Sequence, residues 1–248
     1  MEEKSLFILK NIKVKIKNRI ILDNISINLK KNNITGVIGP SGSGKSTLLK
    51  VLSFLLTPYS GEITYKGIAL KDYNPQKYRK TVSYVQQRPY LFPKTVRDNL
   101  LYGPKLWGIK YNEEELYALL DLVNLDPVFL DREVINLSEG EKQRINIARS
   151  LANKPEVLLL DEPTSALDLL STEIIENLIL KLKKQDLKII VVTHNLEQTK
   201  RISDEVLVLN AGRILDHISI DEFLHSRSDE EIRLYFKKQS SNGGNQND

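Results

Sequence analysis

GPSGSGKS, residues 39–46, lies between the apolar run ITGVIG (34–39) and STLLKVLSFLL (46–56). It has the spacing G-x-x-x-x-G-K-[ST]. ITGVIG reads as a short buried strand and STLLKVLSFLL as a helix, so the glycines fall in a strand–loop–helix turn. Gly39, Gly42 and Gly44 let the backbone wrap closely round phosphates, with successive N–H groups pointing inward. Pro40, Ser41, Ser43 and Thr47 belong to the same loop. Lys45 is placed to reach the β- and γ-phosphates and Ser46 to offer a hydroxyl to Mg²⁺, and the helix opening near Ser46 adds the positive end of its dipole. A plain glycine turn has the same outline. A chance match in a chain of this length is on the order of 1%, and here the flanking strand and helix supply the context the motif needs. The reading is binding of a nucleoside triphosphate.

Two further apolar runs end in polar side chains. VLLLDE (157–162) is a buried strand closing on two carboxylates. Beside a phosphate loop, Asp161 becomes the expected partner of Mg²⁺ and Glu162 a candidate base for an attacking water. KIIVVTHN (188–195) places His194 at the end of another strand, where it can sense a γ-phosphate; a lone histidine is otherwise more often structural.

The rest of the chain fits around these strands. Residues 1–35 alternate LFILKNIKVKI and IILDNISINL with turn-like KNR and KKNN, as antiparallel strands do. GEITYKG (61–67) and TVSYVQQ (81–87) read as strands. EEELYALLDLVNL (113–125) and EKQRINIARSLAN (141–153) have helical spacing, so residues 88–155 read as a helical insertion. Strand–helix–strand order returns with VLLLDE, STEIIENLILKLKK (171–184), KIIVVTHN and EVLVLNAGRI (205–214), which favours a parallel sheet covered by helices. SSNGGNQND at the end reads as disordered.

Composition narrows the function class. At 248 residues, 41% hydrophobic and 27% charged, the chain is an ordinary globular one. It has no cysteine, which excludes disulfides and cysteine-based metal or redox sites. No apolar run approaches the ~18 residues of a membrane-spanning helix, and the N-terminus lacks a signal-peptide core. The expected location is therefore cytoplasmic. Net charge is +4, but the basic residues are interspersed with acids, so no nucleic-acid partner is expected.

LSEGEKQR (137–144) admits two readings. Ser138 with Glu141 is a capping box, and the same helix N-terminus could face a phosphate of another molecule. Here the sequence resembles the ATP-binding subunits of ABC transporters, from about residue 6 to residue 215. GPSGSGKST is similar to Walker A, Gln87 in YVQQRPYLFP to the Q-loop glutamine, and LSEGEKQR to the signature motif. VLLLDEPTSALD joins Walker B to a D-loop of Ser165, Ala166, Leu167 and Asp168, and His194 fits the H-switch.

The resemblance implies an α/β P-loop NTPase: a RecA-like core with an N-terminal antiparallel β-subdomain (1–87 and 156–225) and an inserted helical subdomain (88–155). Residues 226–248 would form a C-terminal helix and tail. It implies ATP and Mg²⁺ as cofactors, with Ser46, Gln87 and Asp161 at the metal and Glu162, Gln87 and His194 in catalysis. Two copies would pair head to tail, in an ATP-dependent homodimer, so that Ser138, Glu139, Gly140 and Glu141 of one subunit meet the ATP of the other. Two membrane-spanning permease subunits would dock on the dimer at the inner face of the cell membrane, with a substrate-binding protein as well if the system is an importer. Tyr90, Leu91, Phe92 and Pro93 would line the groove that receives a coupling helix, although a buried core of the helical subdomain explains these residues equally well. The cargo leans towards an inorganic ion, by likeness to oxyanion importers and small metal exporters. The alternative is a soluble ABC ATPase of DNA repair or translation, although neither a coiled-coil insertion nor a second cassette is present.

Two departures from the family pattern stand out. Glu139 and Glu141 replace Gly and Gln of the common LSGGQ. A carboxylate about 4 Å from a phosphate charge costs on the order of 4 kcal/mol at an effective dielectric near 20. Both carboxylates are therefore expected to point away from the nucleotide, Glu141 by closing the capping box, which would leave Ser138 to choose between cap and phosphate. Second, Ile16 stands where family members stack an aromatic on adenine. Loss of stacking, often about 1–3 kcal/mol, predicts weak selectivity between ATP and GTP.

Overall fold

A computed structural model describes residues 5–31, 33–185 and 187–226. β1 (Ser5–Ile16) and β2 (Arg19–Lys30) form the long antiparallel pair expected from the first 35 residues. In β2, buried Ile25, Ile27 and Leu29 alternate with exposed Ser26, Asn28 and Lys30, the period of a sheet packed on one face. The chain then leaves this pair through β3 (Ile34–Ile38) and returns to it with β4 (Ser60–Tyr65) and β5 (Ile68–Ala69), giving the order β2-β1-β4-β5.

A six-stranded sheet is built from β3, β6 (Val82–Val85), β7 (Val157–Asp161), β8 (Lys188–Val192), β9 (Glu205–Asn210) and β10 (Arg213–Ser219), in the order β10-β9-β3-β8-β7-β6. All its pairs are parallel except the β10 edge. β3, β7 and β8 are buried at every residue, as parallel strands covered on both faces require. Leu159, Ile190 and Val192 face one core, shared with the first sheet and α1 (Lys45–Leu52). Leu158, Leu160, Ile189 and Val191, one residue out of step, face a second core. The two-residue period of a strand is what separates these cores.

Several helices cover the sheet. α2 (Pro75–Thr81) leads into β6; α3 (Val96–Leu106), α4 (Glu113–Leu122) and α5 (Glu139–Leu151) fill the inserted region. α6 (Leu169–Lys183), α7 (Leu196–Ile202) and α8 (Ile220–His225) follow. Leu100, Leu116, Leu120, Ile145 and Ala148 join the second core from α3, α4 and α5.

Local differences from the sequence reading have physical causes. The helix expected over residues 46–56 stops at Leu52, because Phe54 turns into the left-handed region (φ 55°) and stacks edge-on against Tyr78. EVLVLNAGRI is not one strand but a hairpin, since Ala211 and Gly212 both take positive φ (46° and 76°) and reverse the chain between β9 and β10. α3 is absent from the sequence reading because Gly103 and Pro104 are poor helix formers. A Cβ at Gly103 would lie 2.3 Å from the end of the Asn153 side chain, which would have to shift to admit it. Apart from Ser226, the C-terminal stretch 226–248 lies outside the described residues. Among the described residues no helix is long and apolar enough to cross a membrane.

Candidate nucleotide-binding site

The order β3-β8-β7 sets three strand ends side by side, and with them the 39–46 loop, Thr193–His194 and Asp161–Glu162. Open parallel sheets bind ligands at this carboxyl edge. Gly39 has φ 148° and a Cβ there would strike the Leu209 carbonyl oxygen at 1.8 Å, so only glycine can occupy the start of the loop. Gly42, also at positive φ, faces open space instead. α1 begins at Lys45 with Gly44 as its cap and no side-chain cap bond, which leaves first-turn N–H groups for an anion.

Lys45 is buried, and its Nζ donates to the carbonyl oxygens of Gly39 and Pro40, 2.8 Å each. Burial lowers the Lys45 pKa, opposed by the nearby Glu162 and Asp161 carboxyls. An ammonium has three donors, so the third can serve a phosphate oxygen. Ser43 Oγ is buried in the same loop without a hydrogen-bond partner. An orphaned hydroxyl in a glycine cradle fits a polyphosphate, which would satisfy it. Ser41 is exposed and Thr47 half-buried on the flanks.

The Asp161 carboxylate is buried and held from both sides. Ser46 Oγ donates to Oδ1 and Tyr84 OH to Oδ2, both at 2.8 Å. A hydroxyl and a carboxylate oxygen at this spacing are hard donors of the kind Mg²⁺ takes alongside phosphates and water. Burial, then the Asp161 carboxylate, push the Tyr84 phenol pKa upward, so it stays a donor. Tyr84 was not picked out from the sequence; its only signal was a tyrosine inside the TVSYVQQ strand.

Glu162 follows with φ 46°, an uncommon left-handed conformation for a side-chain-bearing residue. Its N–H donates to Val192 O at 3.0 Å, which ties the turn to the neighbouring strand. Gln87 Nε2 donates to Glu162 Oε2 (3.1 Å) and to Ser165 Oγ (3.2 Å), and His194 Nδ1 lies 3.4 Å from Glu162 Oε2. Glu162, Ser165, Leu167 and His194 line a cavity of about 320 Å³. Asp168 caps α6, and its bonds to the Ser171 N–H and hydroxyl keep its carboxyl pKa below the usual range. Ala166 is exposed beside it. Thr164 is anchored to buried Gln198, which donates to Glu176, itself paired with Arg201; sequence reasoning missed this support of the loop.

Ser138 caps α5, and both bonds of the capping box are present. Its Oγ accepts from the Glu141 N–H (3.3 Å), and Glu141 Oε2 accepts from the Ser138 N–H (2.7 Å). Glu139 pairs instead with Lys142 at 2.9 Å. A Cβ on Gly140 would lie 2.7 Å from Ser171 Oγ, so this glycine permits α5 to approach the first turn of α6. Residues 138–141 thus bond locally, with Gly140 against α6, while the 39–46 loop bonds to itself, to Asp161 and to the Gly212 N–H. Ile16 ends β1 opposite Arg19 and is 44% exposed.

A second concavity of about 710 Å³ lies between α2, β6, α3 and α5, lined by Tyr84, Tyr90, Phe92, Tyr102, Trp107 and Arg149 among others. Of the four residues expected to line such a groove, Tyr90 and Phe92 do so. Leu91 packs against the second core instead, and Pro93 is exposed away from the lining.

Residues 22–165 match the family model described as ABC transporter. Over 207 residues the chain is 44% identical to "ABC transporter I family member 17" of Arabidopsis thaliana, spanning 83% of this chain and 79% of that protein. It is 37% identical over 248 residues to the phosphate import ATP-binding protein PstB of Staphylococcus saprophyticus, spanning 94% of this chain and 84% of that one. An ATP-binding cassette solved as a dimer in a post-hydrolysis state, bound to ADP and Pi, matches with a TM-score of 0.77 at 30% identity, over 87% of this chain and 99% of that one. With the phosphate loop and the strand-end carboxylates set in one cassette, the chain belongs to the ABC transporter family and is an ATP-binding ATPase subunit of it.

Proposed function

We propose that this chain is the motor of a transporter: a head-to-tail homodimer that closes around two ATP molecules and drives two membrane-spanning permease subunits. The carrying observation is the cluster of Lys45, Ser46, Asp161, Glu162, Gln87 and His194 at neighbouring strand ends. Residues 1–87 and 156–225 act as the ATP-binding core and 88–155 as the helical subdomain. The complex sits at the inner face of the cell membrane. Kinship with a protein named for phosphate import supports an inorganic ion as cargo; an importer would add a substrate-binding protein.

In this reading Lys45 and the first-turn N–H groups of α1 bind the β- and γ-phosphates. Ser46 and Asp161, with Gln87, would hold Mg²⁺, which would neutralise charge on the phosphate oxygens. Glu162 accepts a proton from the attacking water, while Gln87 and His194 both engage its Oε2, which leaves Oε1 for the water. Ser138 of the opposite subunit donates to the γ-phosphate from a helix N-terminus, which completes the site only in the dimer.

The test is where the chain resides with its partners intact. It should sediment with membranes and purify with an integral membrane protein that raises its ATPase rate. Purification with ribosomes or DNA, and no membrane-bound fraction, would favour the soluble alternative.

A further inference from the structure

Tyr84 joins the aromatic groove to the Asp161 carboxylate. Its hydroxyl donates to Asp161 Oδ2 at 2.8 Å, and the same residue lines the aromatic groove with Tyr90, Phe92, Tyr102, Trp107 and Arg149. It stands in β6, in register with Leu159 of β7, two residues before Asp161 on that strand. Three residues further along its own strand direction is Gln87, whose amide bonds Glu162. Because the other carboxylate oxygen is taken by Ser46, Tyr84 fixes the rotation of the Asp161 carboxylate.

We infer that Tyr84 is a positioning residue that orients Asp161 for Mg²⁺ and, through its ring, ties the state of the aromatic groove to that carboxylate. The inference rests on the proposed reading of Asp161 as a metal partner. Carboxylates that hold metals depend on hydrogen bonds from their own neighbours, and losing such a bond typically weakens metal affinity about 10–100-fold. Coupling of this kind is reciprocal: if the groove biases the carboxylate, metal binding must also bias the groove. Trp107, the single tryptophan of the chain, stands in the groove wall and reports on it.

The experiment compares the full-length chain with Tyr84→Phe, which removes only the hydroxyl. Three quantities are read: affinity for a fluorescent ATP analogue in EDTA, affinity of the ATP-loaded protein for Mn²⁺ by electron paramagnetic resonance, and the change in Trp107 emission when Mg²⁺ is added to the ATP-loaded protein. The expected result is metal-free nucleotide affinity within twofold of the parent, Mn²⁺ affinity about tenfold weaker, and loss of the Mg²⁺-dependent change in Trp107 emission. Unchanged Mn²⁺ affinity in Tyr84→Phe overturns the inference. So does a parent protein whose Trp107 emission is indifferent to Mg²⁺, a measurement that needs no variant. Failure of the parent to bind nucleotide in EDTA would instead count against the nucleotide site itself, which keeps the two claims separable.

Discussion

At Ser138 the structure changes the problem posed by the sequence. The capping box uses a lone pair of Oγ to accept the Glu141 N–H. A serine hydroxyl also carries a proton to donate, so the cap leaves a donor for a phosphate oxygen. By this chemistry the cap and a phosphate need not compete for the same atom of Ser138. What opposes phosphate is the Glu141 charge, and that charge is turned onto the Ser138 N–H at 2.7 Å. Glutamine closes the same box without the charge. Glu141→Gln should thus form the ATP-bound dimer at several-fold lower ATP, with thermal stability unchanged, as sedimentation at graded ATP would record. An ATP requirement and ATPase rate identical to the parent would show that the carboxylate has no such effect. Lys45 and Ser46 were legible because the loop motif fixes their spacing, and Asp161 and Glu162 because two carboxylates close an apolar strand in a chain that carries that motif. Tyr84 was not legible, since no motif distinguishes a tyrosine inside a strand that bonds Asp161 of the neighbouring strand.

Among the elements, the strands read most directly from sequence. ITGVI, VLLLD and KIIVV are buried along their whole lengths, so their apolar character alone marks a sheet covered on both faces. α3 and the β9–β10 hairpin were hidden because packing against Asn153 and a paired positive-φ turn override local propensity. At the far end of the sheet, Lys188 is fully buried on β8 and is joined by Thr35 of β3 (2.6 Å) and Glu205 of β9 (3.3 Å), with His217 of β10 3.2 Å from Glu205. Burial by itself would raise the Glu205 pKa, but His217, Lys188 and Thr35 outweigh it and hold it at about 2. A depressed carboxyl pKa contributes stability that is complete above the unfolded value, ordinarily near 4.5, and is lost as pH falls through about 2. Glu205→Gln removes the carboxylate charge beside buried Lys188 and should cost about 3 kcal/mol at pH 7. Denaturant titrations should show the gap to the parent narrowing between pH 4.5 and 2; a constant gap would mean that the carboxylate charge is not what holds these strands.

For the whole molecule, the layout fits the proposal that one chain alone is an incomplete enzyme. Glu162, Gln87 and His194 meet at the strand ends, whereas the Ser138 cap bonds locally, with Gly140 against α6. Each half of the proposed site is built within one chain, and in the proposed arrangement a second copy turned head to tail supplies both halves to one ATP. Removing the Glu162 charge should block proton transfer from water and leave nucleotide binding intact, which halts the cycle with ATP in place. The decisive measurement is therefore the mass in solution of Glu162→Gln with ATP and Mg²⁺, by light scattering on a sizing column. The account predicts a stable dimer holding two ATP, which reverts to monomer when ATP is withdrawn. A variant that binds ATP yet remains a monomer at every nucleotide concentration would contradict it.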